Sequence, residues 1–246
     1  MKRYSIEVRG LKKRLGVNQA LNGITTNFGA ATLHGLIGPE GAGKTTLLRA
    51  LLELLHSDEG EICWFLENER VPFKTVRPSI AYMPQQQSLY ADLSISEHLE
   101  FFRDVYDIPL RDYEKRRAEL LQMTRLTSFV DRPAGKLSGG MYKKLGLMCS
   151  LLRSPEILLL DEPTNGVDPI SRREFWDLLY GMREQGLLIL IATAYMDEAE
   201  RCGEVHLMNA GTILAEGEPR QLLDAEKVRR FDELFLRKES GLVARP

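Results

Sequence analysis

A glycine-rich segment near residue 40 combines the residue types that bind phosphate groups. It follows a short apolar run and reads Gly38-Pro39-Glu40-Gly41-Ala42-Gly43-Lys44-Thr45-Thr46. Glycines let backbone N–H groups approach phosphate oxygens closely, and the positive end of a following helix would face the same anion. Lys44 would add a charge at the β- and γ-phosphates, and the Thr45 hydroxyl would hold Mg²⁺. This phosphate loop (residues 38–46) therefore predicts a nucleotide site.

An acidic pair ends a second apolar run, Leu158-Leu159-Leu160-Asp161-Glu162. The run is typical of a buried strand, and open α/β sheets bind ligands at the carboxyl ends of their strands. Asp161 would hold Mg²⁺ through water, and Glu162 would polarise the attacking water as a general base. Alone, the pair could equally cap the next helix. Together with the phosphate loop, it favours hydrolysis of a nucleotide.

A third segment, Leu137-Ser138-Gly139-Gly140-Met141, lies between these two and is called here the Ser-Gly-Gly turn. It begins a predicted helix whose first N–H groups have no partners within the helix, so they would form a second anion-binding site. Because the chain already has one such site, the second would serve a nucleotide held by another subunit. The alternative is an ordinary turn capped by Ser138.

The three segments together resemble the motifs of the ATP-binding-cassette (ABC) ATPases, and the resemblance covers nearly the whole chain. It implies ATP and Mg²⁺ as cofactors, with Lys44, Gln85 and Glu162 as catalytic residues. The Mg²⁺ ligands that it implies are Thr45, Gln85 and Asp161. Gln85 falls at the family's glutamine loop, which touches Mg²⁺ and couples to a membrane partner.

The resemblance also implies partners. In the family, the residues that correspond to Ser138, Gly139 and Gly140 contact the γ-phosphate held by the opposite cassette. Asp168 falls in the loop that crosses the dimer interface, so it is expected near the same nucleotide. The second cassette would be an identical copy, a different subunit or a fused second half. Transmembrane permease subunits would contact the region from Gln85 to Glu97.

Two positions depart from the family pattern. The family usually has a histidine where this chain has Ala194, whose methyl group cannot donate a hydrogen bond. Losing one donor at a developing charge typically costs about 2.7–4 kcal/mol, or ~10²–10³ in rate. Thr193 or Tyr195 could substitute. Leu15 stands where the family often stacks an aromatic ring on adenine, and Arg14 could compensate partly by stacking its guanidinium.

Two interpretations of these departures stay open. Either both are tolerated variation in an ordinary homodimer, or this chain's own site is slow while its Ser-Gly-Gly turn completes a faster site on another cassette. The leading function is the ATPase of a membrane exporter, and the alternative is a fragment of a soluble ribosome-associated ABC ATPase. Four segments resemble the drug-exporter type: residues 89–93, 137–141, 165–169 and 195–200.

The elements that must position these residues are strands that alternate with helices. This alternation predicts an α/β fold with a largely parallel sheet. The resemblance specifies a P-loop NTPase of the ABC type, with an N-terminal antiparallel β subdomain. We expect one domain over residues 1–230 with a helical insertion over about residues 90–152. Residues 231–246 are charged and weakly patterned, which predicts a frayed tail or a linker.

Composition narrows the remaining choices. The chain has 246 residues and a formal charge of −2. No overall electrostatic field therefore attracts nucleic acid, and nucleic acid is not expected as a partner. We find neither a secretory signal nor an apolar run of membrane-spanning length, which predicts a cytoplasmic protein. The resemblance implies that it is peripheral on the inner face of the membrane. The three cysteines are scattered, and the four histidines show no ligand spacing, so a structural metal is not expected.

Overall fold

The computed structural model describes residues 2–86 and 89–243, with side chains up to residue 240. Its strands are β1 (Tyr4–Leu15), β2 (Asn18–Phe28), β3 (Leu33–Ile37), β4 (Glu59–Leu66), β5 (Glu69–Val71), β6 (Ile80–Met83), β7 (Ile157–Asp161), β8 (Leu188–Thr193), β9 (Glu204–Asn209) and β10 (Thr212–Gly217). Its α-helices are α1 (Lys44–Leu51), α2 (Phe73–Val76), α3 (Ile95–Val105), α4 (Leu110–Thr124), α5 (Gly139–Leu151), α6 (Pro169–Glu184), α7 (Pro219–Glu226) and α8 (Phe231–Val243).

The larger sheet has six strands in the order β10-β9-β3-β8-β7-β6. All neighbours pair in parallel except β10, which is antiparallel to β9. Every residue of β3, β7 and β8 is buried, because helices and a second sheet cover both faces, and this explains their continuous apolar sequences. The carboxyl ends of these strands therefore share one edge, where β3 leads into the phosphate loop and β7 ends on the acidic pair.

The second sheet has four strands in the order β2-β1-β4-β5, all antiparallel. Its apolar side chains, including Ile6 and Phe28, are buried in a core shared with α1 and the larger sheet. The structure confirms the predicted α/β fold, with its largely parallel sheet and its antiparallel N-terminal sheet.

Three helices occupy the stretch in which a helical insertion was predicted. α3 begins at a capping box in which the Ser94 hydroxyl accepts from the Glu97 N–H and the Glu97 carboxylate accepts from the Ser94 N–H. α4 and α3 both contact α5, which in turn packs against α6 and β6. The Ser-Gly-Gly turn at the start of α5 is thereby fixed to the sheet.

The C-terminal segment corrects one prediction. Residues 231–246 were expected to fray, but the described part of this segment forms α8. Phe231 and Leu234 lie three positions apart on one helical face, and both are fully buried in the main core. Burying these two side chains holds the helix in place despite its charged sequence.

Candidate functional site

The phosphate loop connects the buried strand β3 to α1 through tightly placed glycines. A Cβ on Gly38 would lie 2.2 Å from the Met208 carbonyl oxygen, and Gly43 has φ 104°, which favours glycine. Gly43 is the N-cap of α1, and no described side chain caps this helix. Its first N–H groups are therefore available to an anion, which fits the phosphates of a nucleotide.

Lys44 lies almost fully buried at the base of the phosphate loop. Its ammonium donates to the carbonyl oxygens of Gly38 at 2.7 Å and Pro39 at 2.9 Å. The same nitrogen lies 3.3 Å from Glu162 Oε1 in an ion pair that is also buried. Lys44 is thus a fixed positive charge between the loop and the acidic pair.

Asp161 and Thr45 form the Mg²⁺ half of the candidate site. The Thr45 hydroxyl donates to Asp161 Oδ1 at 2.9 Å, and the Tyr82 hydroxyl lies 3.4 Å from Asp161 Oδ2. Burial raises the pKa of Asp161 above its ordinary value, and it raises the pKa of Tyr82 to about 12. A hydroxyl and a carboxylate at this distance are oxygen ligands of the type that Mg²⁺ binds, directly or through water, so the residues fit the ion.

Glu162 follows Asp161 in a left-handed backbone conformation, with φ 48°. Its N–H donates to the Ala192 carbonyl, and its Oε2 accepts from the Ala194 N–H at 3.2 Å. Burial raises the pKa of Glu162, and the nearby Lys44 charge opposes that rise. The carboxylate is therefore oriented from two sides and is a stronger base than an exposed glutamate.

A cleft of about 530 Å³ opens above the phosphate loop, within the range of about 300–1,000 Å³ that ligand pockets occupy. Leu15, 45% exposed, lies on its wall, and its contact with adenine stays a prediction. Gln85 lies at the same cleft, and its carbonyl oxygen accepts from Lys143 of α5 at 3.3 Å. The lining residues are Leu15, Asn18, Gln19, Ala20, Glu40, Gly41, Ala42, Gly43, Lys44, Thr45, Thr46, Gln85 and Glu162.

The Ser-Gly-Gly turn does not belong to this cleft. Ser138 and Gly139 are exposed, and the Ser138 hydroxyl accepts from the Met141 N–H as the N-cap of α5. A Cβ on Gly140 would lie 2.4 Å from the Ser171 side chain, so α5 packs closely on the start of α6. The structure therefore places the turn on the surface and outside the residues that line the cleft.

Asp168 was also predicted to contact nucleotide, and it too lies outside the cleft lining. Its carboxylate caps α6 by accepting from the N–H groups of Ile170 at 3.1 Å and Ser171 at 3.0 Å. These bonds, chiefly the one from Ser171, hold the pKa of Asp168 below its usual value. Within this chain, Asp168 thus orders the start of α6, against which Gly140 of the Ser-Gly-Gly turn packs.

The surroundings of Ala194 show whether a neighbour replaces the missing histidine. Thr193 is fully buried, and its hydroxyl accepts from the Tyr195 N–H at 3.1 Å. The Tyr195 hydroxyl lies 3.4 Å from Asn165 Oδ1, and its ring stacks beneath the Arg172 guanidinium. The Thr193 hydroxyl is thus used as an acceptor and the Tyr195 hydroxyl lies beside Asn165, and no described contact directs either of them at the cleft.

One buried cluster was missed in the sequence. Glu198 is fully buried, and its Oε1 accepts from the Thr164 hydroxyl, Arg172 Nε and Trp176 Nε1 at 2.7–3.0 Å. Its Oε2 has no partner among the described residues. Because these donors come from distant positions, no local pattern indicates the cluster. It ties the segment after Ala194 to α6 and to the loop that follows Glu162.

A glycine loop that feeds a helix N-terminus, a buried lysine and a strand-end acidic pair together define a P-loop nucleoside triphosphatase. Comparison with known proteins narrows the class. A family model described as ABC transporter matches residues 21–165, which is more than half of the chain. The chain therefore belongs to the ABC transporter family of ATP-binding domains, as predicted.

Named relatives agree with this assignment. The chain is 42% identical over 228 residues to YbhF of Escherichia coli strain K12, described as a probable multidrug ABC transporter ATP-binding protein. That match covers 92% of this chain but only 39% of the relative. This chain is also 36% identical over 226 residues to the Nod factor export ATP-binding protein I of Ralstonia nicotianae. That second match covers 90% of this chain and 69% of the relative.

Solved structures agree on the fold. A structure described as an ATP-binding subunit of an ABC transporter superposes with a TM-score of 0.81 at 26% identity, covering 95% of this chain and 99% of that one. In the part of the chain that is described here, no helix has the length and apolar character needed to span a membrane.

Proposed function

We propose that this chain is the ATP-hydrolysing unit of an exporter, working with a second cassette and with transmembrane permease subunits. Relatives described as multidrug and Nod factor export proteins support the exporter class over the ribosome-associated alternative. In this proposal the chain lies on the cytoplasmic face of the membrane, held there by the permease.

The cleft supports binding and hydrolysis of ATP. Lys44 and the N–H groups at the start of α1 would hold the phosphates. Thr45 and Asp161, with Gln85 at the cleft wall, would hold Mg²⁺, which offsets negative charge on the phosphates when bound. Glu162, oriented by Lys44 and by the Ala194 N–H, would accept the proton of the attacking water.

One observation carries the proposal of a paired cassette. Two separate helix N-termini would bind anions in this proposal: that of α1 lies inside the cleft, and that of α5 lies on the surface. Ser138 and Gly139 are exposed at the second, where they are open to the γ-phosphate of a nucleotide held by another cassette. Asp168 would lie beside this interface, because it caps the helix on which α5 packs.

Ala194 makes the chain's own site slow in this proposal. The backbone N–H of residue 194 reaches Glu162, so a side chain there starts beside the general base, yet a methyl group offers no donor. No described contact directs the Thr193 or the Tyr195 hydroxyl at the cleft, so in this proposal the rate deficit of ~10²–10³ expected for one missing donor remains. The exposed Ser-Gly-Gly turn is unaffected, which favours its use by a faster partner site.

The permease would contact the region from Gln85 to Glu97. The hydrogen bond between Lys143 and the Gln85 carbonyl ties the start of this region to α5, and the capping box anchors its end. Residues 87 and 88 lie outside the described residues. Motion of the Ser-Gly-Gly turn, at the start of α5, would thereby reach the surface that the permease contacts.

ATP-dependent association tests the paired cassette. Glu162→Gln removes the general base while keeping its shape, so we expect the variant to double its mass in light scattering when ATP and Mg²⁺ are added. Gly139→Asp adds a negative charge at an exposed position that has room for a Cβ, and it should block association without blocking ATP binding. Gly181→Asp in α6, which also has room for a Cβ, is the control and should still associate. A Gly139→Asp variant that dimerises like the control would contradict the proposal.

A further inference from the structure

Three side chains far apart in sequence meet on one face of the six-stranded sheet. His34 of β3 is in register with Glu204 of β9, and His206 lies two residues farther along β9, so all three point to the same side. His34 Nδ1 lies 3.1 Å from His206 Nε2 and 3.4 Å from Glu204 Oε2, and the three ligand atoms lie within 4.8 Å of one another. Both imidazoles are fully buried, with the Phe28 ring packed edge-on against them.

The outer hydrogen bonds of both rings direct their free lone pairs into this group. His34 Nε2 lies 3.1 Å from the Gly29 carbonyl oxygen, which only accepts, so this nitrogen carries the hydrogen and Nδ1 carries the lone pair. On the other ring, His206 Nδ1 lies 2.9 Å from the Thr26 hydroxyl, whose hydrogen is given to Glu216 Oε2 at 2.7 Å. Nδ1 of His206 is therefore the donor, and its Nε2 is left as an acceptor.

Three acceptors thus converge on one point: two imidazole nitrogens and a carboxylate oxygen. Such an arrangement requires a cation, either a proton shared between the rings or a metal ion. Two carboxylates, Glu204 and Glu216, supply negative charge next to the group without a described cationic side chain bonded to either.

We propose that His34 Nδ1, His206 Nε2 and Glu204 Oε2 bind a Zn²⁺ ion. Zinc is bound at about 2.0–2.1 Å by histidine and about 2.0–2.2 Å by carboxylate oxygen, so neighbouring ligand atoms of a tetrahedral site lie ~3.3–3.4 Å apart. The two separations from His34, 3.1 and 3.4 Å, are close to this value, and the Glu204 and His206 ligand atoms lie within 4.8 Å of each other. The Gly29 carbonyl and the Thr26–Glu216 pair are the outer partners that zinc-binding histidines normally have.

This site is separate from the nucleotide cleft. His34 lies four residues before Gly38 on an extended strand, which places it ~13 Å away along β3 at about 3.3 Å per residue. Glu204 is 32% exposed, so the ion can enter from the solvent side, where it would also bring a fourth ligand such as water. Thr26 belongs to β2, so the bound ion would connect the antiparallel sheet to the edge of the larger sheet.

Calorimetric titration of the metal-free chain with Zn²⁺, in excess Mg²⁺ and without nucleotide, tests the site. We expect one Zn²⁺ per chain and a rise in Tm on binding. Glu204→Gln removes a partly exposed ligand, and we expect it to weaken binding at least about tenfold and to abolish most of the Tm rise. His56→Asn, an exposed histidine elsewhere, is the control and should bind as the wild type does.

A second variant, His34→Asn, covers the case in which the amide oxygen introduced by Glu204→Gln still binds the ion, and it should lose binding as well. Circular dichroism of each metal-free variant checks that it has folded. Wild type that binds no Zn²⁺ at one equivalent, or folded Glu204→Gln and His34→Asn variants that both bind like wild type, would overturn the proposal.

Discussion

Replacing Glu198 should destabilise the fold far more than replacing its neighbour Asp197, although both acids pair with Arg172. Glu198 Oε1 is fully buried and accepts three hydrogen bonds, including 2.7 Å from Arg172 Nε. Asp197 also binds Arg172, at 2.9 and 3.0 Å, but its side chain is 62% exposed. The two variants Glu198→Ala and Asp197→Ala therefore form a matched pair that differs mainly in burial.

The expected magnitudes follow from this difference. Removing one partner of a buried ion pair costs about 3–5 kcal/mol, because the other charge is left without compensation. Arg172 is 21% exposed and would keep Asp197, so the lower end, about 3 kcal/mol, applies to Glu198→Ala. Losing an exposed pair costs about 0–1 kcal/mol, which is the expectation for Asp197→Ala.

Thermal unfolding measures the loss of stability in both variants. At about 2–4 °C per kcal/mol for a domain of this size, Glu198→Ala should lower Tm by ~6–12 °C and Asp197→Ala by at most ~4 °C. Equal shifts in the two variants would refute the reasoning, since burial would then not decide the cost. A Glu198→Ala shift below that of Asp197→Ala would refute it as well.

Three further predictions concern the nucleotide cleft. Lys44→Ala removes the buried charge, and we expect a loss of ~10–150-fold in ATP affinity, from about 1.5–3 kcal/mol per charged hydrogen bond, measured with a fluorescent ATP analogue. Leu15→Tyr offers adenine a ring, so the same assay should show tighter binding by ~5–150-fold, from about 1–3 kcal/mol of stacking; unchanged affinity would place the base elsewhere. Glu162 must be ionised to act as a base and burial raises its pKa, so the rate of hydrolysis should fall on acidification at a pH above the ordinary glutamate value of about 4.3. A rate that falls only at or below this pH would contradict the role of Glu162 as general base.

Features that depend on neighbouring residues were predictable from the sequence, whereas features that depend on distant ones were not. The phosphate loop and the strand that ends on Asp161 could be predicted from short stretches of sequence. Closely spaced glycines before a lysine indicate a phosphate loop, and a continuous apolar run indicates a buried strand. The largely parallel sheet followed from such runs alternating with helices. The group of His34, Glu204 and His206 could not be predicted, because its members meet only when β3 and β9 pair. Helix α8 was missed because its few core-packing residues, Phe231, Leu234 and Phe235, stand in a largely charged stretch.

The Glu198 cluster shows the same limit. Its donors lie at positions 164, 172 and 176, and only the packing of α6 against the segment after Ala194 brings them together. The role of Ala194 was visible as a departure from the family pattern. The sequence alone left open whether Thr193 or Tyr195 replaces the missing donor, and their contacts in the structure argue against both.

The central claim is that this chain hydrolyses its own bound ATP slowly because residue 194 offers no side-chain donor. Single-turnover hydrolysis by wild type and by Ala194→His, at saturating ATP and Mg²⁺, tests this most directly. The imidazole would begin beside Glu162, and restoring one donor should raise the rate ~10²–10³-fold with little change in ATP affinity. A wild-type rate equal to that of the variant would contradict the claim.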